Sequence, residues 1–223
     1  MIPVPSKSNK ARTEVLRRIT AAIGGPDLLT PAEIEDARSH LPRAYRMRGT
    51  MGSTEVIALF EHRLLDYGAC VERCSVAEIV PTLKGMLERR AVRTMAVPSG
   101  FPRHWLPGHP QFLNADSLGH RDLDRCNSVL TGATLAIAET GTLVLQSVAD
   151  QGRRAASLVP DYHLCVVLVA DVVETVPEAF RRLEGTNTLP TTFISGPSAT
   201  ADIEMTRIKG VHGPRILDVL LVG

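Results

Sequence analysis

From Ser53 onward the chain switches repeatedly between helical and strand-like hydrophobic spacing, and that alternation limits its possible folds more than any other feature. Val56, Leu59, Phe60 and Leu64 recur at helical intervals between Ser53, which can cap a helix, and Gly68, which can end one. Ala69 to Cys74 follows as a short strand. Ser75-Val76-Ala77-Glu78 has the capping-box pattern and opens a helix to Arg90, with Pro81 placed to delay its regular turns. Val92 to Val97 is the next strand, and the buried run Leu164 to Val169, the helix Val176 to Leu183, the strand Thr191 to Ser195 and the terminal strand Ile216 to Val222 continue the pattern. Strands joined by helices pair in parallel through right-handed crossovers. The expected fold is therefore α/β, a mostly parallel sheet flanked by helices, and 223 residues of which 44% are hydrophobic suffice for one core.

Residues 1–52 read differently, as an N-terminal helical arm ahead of an α/β domain at 53–223. Asn9 to Ile23 forms an amphipathic helix whose face of Val15, Leu16, Ile19 and Ile23 is expected to pack on the main body or on another subunit, which leaves a homo-oligomer open. Gly24-Gly25-Pro26 stops this helix, Pro31 to Ser39 forms a second, and Tyr45 to Gly52 reads as a polar linker.

Composition removes several classes of function. Lysine and arginine total 25 against 24 acidic residues, and both signs are mixed along the chain, so no nucleic-acid or membrane surface is expected. The longest apolar run, Leu164 to Ala170, cannot span a bilayer, and MIPVPSKSNK has no signal region, so a cytoplasmic protein is expected. Cys70, Cys74, Cys126 and Cys165 do not have the spacing of a zinc, redox or iron–sulfur site, and Cys165 reads as a small buried hydrophobe. Pro98 to Leu118, with four prolines and His104 and His109, reads as a long loop, either a lid or a surface segment pinned by its aromatics. No metal site is expected in the chain.

Two stretches carry candidate chemistry. In the first, Leu135–Ala138 and Thr142–Leu145 flank Glu139-Thr140-Gly141, the length of a tight hairpin turn. A carboxylate there can serve as general base or covalent nucleophile, or it can merely accept from the turn's backbone. In the second, TTFISGPSATADIEMTRIKGVHGP at 191–214, a strand breaks at Ser195-Gly196-Pro197-Ser198 and resumes as a segment, Ala199 to Ile208, that can be helical. Thr140, Thr142, Ser195, Ser198 and Thr200 offer hydroxyls, and Gly141 and Gly196 offer accessible backbone N–H groups. Arg153 and Arg154 can hold the same anion, Asp202 can close a hydrogen-bond network beneath the turn, and His212 is either an anion donor or a turn histidine. Together these residues suit a small carboxylate or phosphate at the start of a helix. There is no Gly-x-Gly-x-x-Gly or Walker pattern, and Gly196-Pro197-Ser198-Ala199-Thr200 is not a nucleophile elbow.

The segments TGATLAIAETGTLVLQS, RRAASLVPDYHLCVV, ISGPSATADIE and GVHGPRILDVLLVG, in this order, closely resemble the LUD-domain family over roughly Ser53 to Gly223. That resemblance implies a fold similar to ribose-5-phosphate isomerase, glucosamine-6-phosphate deaminase and the CoA transferases. It also implies a part in oxidising L-lactate to pyruvate alongside iron–sulfur partner proteins, with no cofactor in this chain itself. A stand-alone isomerase- or CoA-transferase-like enzyme using Glu139 is the alternative that the fold likeness suggests.

Overall fold

In a computed structural model, which describes residues 7–22, 30–42, 44–200, 208–209 and 212–223, six strands pair in parallel to form the main sheet. They are β1 (Cys70–Cys74), β2 (Thr94–Val97), β3 (Gln111–Asn114), β4 (Ser128–Thr131), β7 (Tyr162–Leu168) and β12 (Ile216–Val222), in the spatial order β1-β12-β7-β4-β2-β3. A second sheet of four strands, in the order β8-β5-β6-β9, is built from β5 (Leu135–Ile137), β6 (Thr142–Gln146), β8 (Val172–Val173) and β9 (Thr191–Ser195).

Alternation along the parallel strands assigns the layers. Leu164 and Val166 of β7 and Leu220 and Val222 of β12 face one way, onto Ile79, Leu83, Met86 and Leu87 of α4 (Ile79–Arg89). Cys165, Val167, Val219 and Leu221 face the other way, onto Val56, Ile57, Phe60 and Leu64 of α3 (Ser53–Asp66) and onto Ala136, Leu143 and Leu145 of the second sheet. On that side α5 (His120–Cys126) and α6 (Arg154–Leu158) cover β2 and β4 through Leu123 and Ala156. The outer face of the second sheet packs on α7 (Val176–Leu183) through Leu135, Ile137, Val144, Ala179 and Leu183.

The chain separates into units at residues 1–45 and 46–223. The first holds α1 (Lys7–Ala22) and α2 (Pro31–Ser39), the latter started by a capping box between Thr30 and Glu33. Val15, Leu16 and Ile19 of α1 are 55%, 47% and 51% exposed, and Ile23 lies outside the described residues.

The structure changes several expectations. Gly52, not Ser53, is the N-cap of α3, and its N–H donates to the Glu55 carboxylate at 2.9 Å. The segment Pro98–Leu118 is not wholly a loop. Its prolines end at Pro110, and the proline-free Gln111–Asn114 adds to the sheet edge as β3, pairing with β2. Thr191–Ser195 forms a strand, but in the second sheet and antiparallel to β6. The helix expected over Ala199 to Ile208 is not found at the described ends of that segment, and residues 201–207 lie outside the described residues. Ala199–Thr200 is β10, paired antiparallel with β11, Ile208–Lys209. The reason lies at the base of this segment. Ser198 N–H donates to the Pro214 carbonyl at 2.8 Å and His212 N–H to Ser198 Oγ at 3.2 Å, so the chain is tied back on itself and forms a ladder. The hairpin between β5 and β6 is as expected. Gly141 takes φ +57°, and a Cβ there would lie 2.8 Å from Arg63 Cβ, so the turn admits only glycine.

Residues 46–51 do not behave as the expected linker, because they are bonded to the main body. Arg46 donates to both Glu139 and the buried Glu174, Met51 N–H to Glu174 at 2.8 Å, and Gly49 N–H to Glu178 at 2.9 Å.

A second buried carboxylate is paired within the main sheet. Asp218 of β12, 4% exposed at its side chain, receives a bidentate contact from Arg90 at 2.6 and 2.9 Å and a hydrogen bond from Tyr162 Oη at 3.0 Å. Burial, then the neighbouring Asp218, raises the Tyr162 phenol well above its usual range, so it donates at any physiological pH. Arg90→Ala would leave a buried carboxylate without its cation and is expected to cost about 3 kcal/mol in urea unfolding. Arg215→Ala, which breaks the exposed pair with Asp161, should cost less than about 1 kcal/mol.

Candidate functional site

A cavity of about 340 Å³ opens where α6, β7, β9 and the start of β12 meet. His163 and Leu217, each the second residue of its strand, form part of its lining, so the cavity lies at the amino ends of the central strands, on the side of the second sheet. α6 contributes Arg154, Ser157 and Leu158, and β9 and the turn after it contribute Thr192, Ser195, Gly196 and Ser198. His212, Gly213 and Pro214 also line it.

The turn geometry follows from the sequence. Gly196 adopts φ +80°, and a Cβ on it would approach Tyr67 Cβ to 2.5 Å. Glycine is therefore required by the turn itself, and a β-branched residue there would disturb folding before it tested any ligand. Ser198 Oγ is fixed as the acceptor of His212 N–H, which leaves its own proton free to donate. Ser195 Oγ lies 2.7 Å from Thr142 Oγ1, which lies 2.7 Å from Thr140 Oγ1. A chain of hydroxyls thus runs from the β5–β6 turn to the cavity wall.

The cation in the cavity is Arg154. Its Nη1 donates to Thr192 Oγ1 at 2.8 Å, and among the described residues no carboxylate pairs with it. Its remaining N–H groups suit a planar anion. Arg153 is the N-cap residue of α6, and its guanidinium donates to the Leu118 carbonyl, so the two arginines diverge. Glu139 is also set apart. Its carboxylate is taken by Arg46, its N–H donates to the Glu174 carbonyl at 3.0 Å, and it does not line the cavity. Thr140, Gly141 and Thr142 lie behind the wall and reach the cavity only through Ser195. Thr200 belongs to β10, and Asp202 lies outside the described residues. Among the described residues no group of three or more His, Cys, Asp and Glu side chains is placed to hold a metal ion.

His163 is a site residue that the sequence pattern did not single out. Its ring is fully buried, with Nε2 2.8 Å from Thr131 Oγ1. The Thr131 hydroxyl is aligned to donate to Cys165 Sγ at 3.7 Å, and that thiol to the Gly132 carbonyl at 3.5 Å. Which of the two groups donates in the Thr131–His163 hydrogen bond follows the tautomer of the ring. Nδ1 has no hydrogen-bond partner among the described residues. Burial pushes the His163 pKa down to about 4, which keeps the ring neutral at pH 7. The signal available in the sequence was a lone polar residue among the apolar side chains of Tyr162–Leu168.

A parallel sheet of this order, backed by a small mixed sheet and α7, defines an α/β domain. Comparison with known proteins is more specific. The sequence pattern of the LUD domain matches residues 114–222. A lactate utilization protein C of Deinococcus radiodurans is 40% identical over 228 aligned positions, covering all of both chains. Another, from Halalkalibacterium halodurans, is 27% identical over 88% of this chain and 87% of its own. The crystal structure of a DUF162 family protein from Deinococcus radiodurans superposes with a TM-score of 0.69 at 39% identity, covering 78% of this chain and all of that one. This chain belongs to the LUD domain family.

The His163 geometry sets a pH dependence. Its pKa is lower in the fold than the ordinary value of 6.5, so the unfolded chain binds the proton first. The stability is therefore complete above pH 6.5 and falls as the pH drops towards 4, by on the order of 3 kcal/mol. His163→Gln should unfold with a visibly flatter dependence across that window in urea titrations.

Proposed function

We propose that this chain is a subunit of an L-lactate utilisation system and that the Arg154 cavity holds a small carboxylate. The observation that carries this reading is an arginine without an acid partner among the described residues, facing a cavity whose rim supplies the Ser195 and Ser198 hydroxyls. The substrate class comes from the relatives, two of which are named for lactate utilization. A carboxylate oxygen pair matches the guanidinium fork, and the serine hydroxyls donate to the same group. Oxidation of L-lactate to pyruvate releases two electrons and two protons. Iron–sulfur partner proteins accept the electrons in this reading, while this chain binds the acid. Glu139, held by Arg46, serves the turn and leaves the chemistry to the cavity.

Calorimetric titration of the purified chain with L-lactate, D-lactate and pyruvate tests the assignment. At least one of these acids should bind, and Arg154→Ala should weaken it about tenfold or more, the loss of one charge-assisted contact. Glu139→Gln should leave the affinity unchanged. Absence of binding by every acid at millimolar concentration would remove the carboxylate site. Normal growth on L-lactate of a strain lacking the gene would remove the role in lactate use.

A further inference from the structure

The parallel sheet has a second cavity, of about 380 Å³, at the opposite end of its strands. Its position follows from the topology. The chain leaves β2 outward to β3, returns through α5 to β4, and from β4 continues in the other direction to β7 and then β12. Connections therefore diverge between the neighbouring strands β2 and β4, and the cavity is lined by the loops that follow these two strands. Such a divergence leaves a crevice at the carboxyl ends, and ligands of open α/β sheets collect there.

The crevice is built from bonded loops. Gly100 N–H, beyond β2, donates to the Ala149 carbonyl at 2.9 Å, and Gly132 N–H, beyond β4, donates to the Asp150 carbonyl at 3.1 Å. A Cβ at Gly100 would come within 2.5 Å of Ala149 Cβ, and one at Gly132 within 2.4 Å of Asp150 Oδ2. Both glycines thus allow the loop after β6 to close against the strand ends. The walls have two characters. Phe101, Trp105, Val166 and Leu168 make an apolar side, with the Trp105 ring edge-on to Phe101 at 5.9 Å between centroids. Asp150 faces them with a carboxylate that has no hydrogen-bond or ionic partner among the described residues, whereas the other acid in the lining, Asp171, pairs with Arg182 at 3.5 Å.

We infer that this crevice binds a nucleoside, with its flat base on the Trp105 side and its ribose diol on Asp150. An unpaired carboxylate requires donors, and two adjacent hydroxyls satisfy both of its oxygens. A simple sugar would supply the diol but leave the apolar wall uncovered, whereas a base covers it with a planar ring. The site is separate from the Arg154 cavity and does not rest on the carboxylate reading.

Trp105 is the single tryptophan of the chain, so its emission reports on this crevice alone. The full chain is titrated with adenosine, 2′-deoxyadenosine, adenine and D-ribose while Trp105 emission is followed. Adenosine should produce a saturable change, and 2′-deoxyadenosine should bind about tenfold more weakly, the cost of one hydrogen bond to a charged group. Asp150→Ala should weaken adenosine to the same degree. Gly132→Ala gives a second route, because the new methyl displaces only the end of the Asp150 side chain, and it should reduce affinity with the melting temperature preserved. No saturable response to adenosine, equal affinity for the deoxy compound, or undiminished affinity in both variants would overturn the inference. Tighter binding of D-ribose than of adenosine would overturn the nucleoside assignment.

Discussion

Two strands, β7 and β12, are covered on both faces, and most of the main body is positioned by that burial. A strand enclosed on both sides must be apolar at nearly every position, which is why Leu217, Val219, Leu220, Leu221 and Val222 run almost without interruption. One face takes α4 and the other takes α3 and the second sheet, so the order of layers is settled by these residues. Polar groups are admitted only towards the amino ends. Asp218 is compensated by Arg90 and Tyr162, and His163 is compensated on one nitrogen by Thr131. The first of these arrangements is closed and structural. The second leaves one ring nitrogen without a partner among the described residues, beneath a cavity.

The two ends of the sheet therefore differ in chemistry. The amino ends, next to the second sheet, carry an arginine, serine hydroxyls and a neutral imidazole. The carboxyl ends carry aromatic and aliphatic side chains with one unpaired carboxylate. The Thr131–Cys165–Gly132 hydrogen bonds connect these regions through the interior, since His163 lines one cavity and Gly132 the other.

Much of this was legible before any coordinates. The helix α3, the capping box of Ser75 and Glu78, the β5–β6 hairpin with its glycine and the buried strands all followed from local spacing and from residues with one dominant conformational use. Ser195, Gly196, Ser198, Arg154 and His212 were named from sequence and share one cavity. What local patterns could not supply was partnership. Whether Thr191–Ser195 joins the first or the second sheet depends on which edge is free, and Arg153 and Arg154 are adjacent in sequence but diverge because α6 begins between them. β3 was hidden by the prolines before it, and His163 by the apolar strand that contains it. Glu139 was conspicuous as a carboxylate in a turn, but its partner Arg46 lies far away in sequence and only the fold brings them together.

The paired strands β10 and β11 stand on a base fastened by Ser198, His212 and Pro214. The chain that departs at Ser198 and returns at His212 is closed at its ends by these bonds. The cost of closing a loop grows only slowly with its length, so the number of residues between these two points can change while Ser198, His212 and Pro214 keep their bonds.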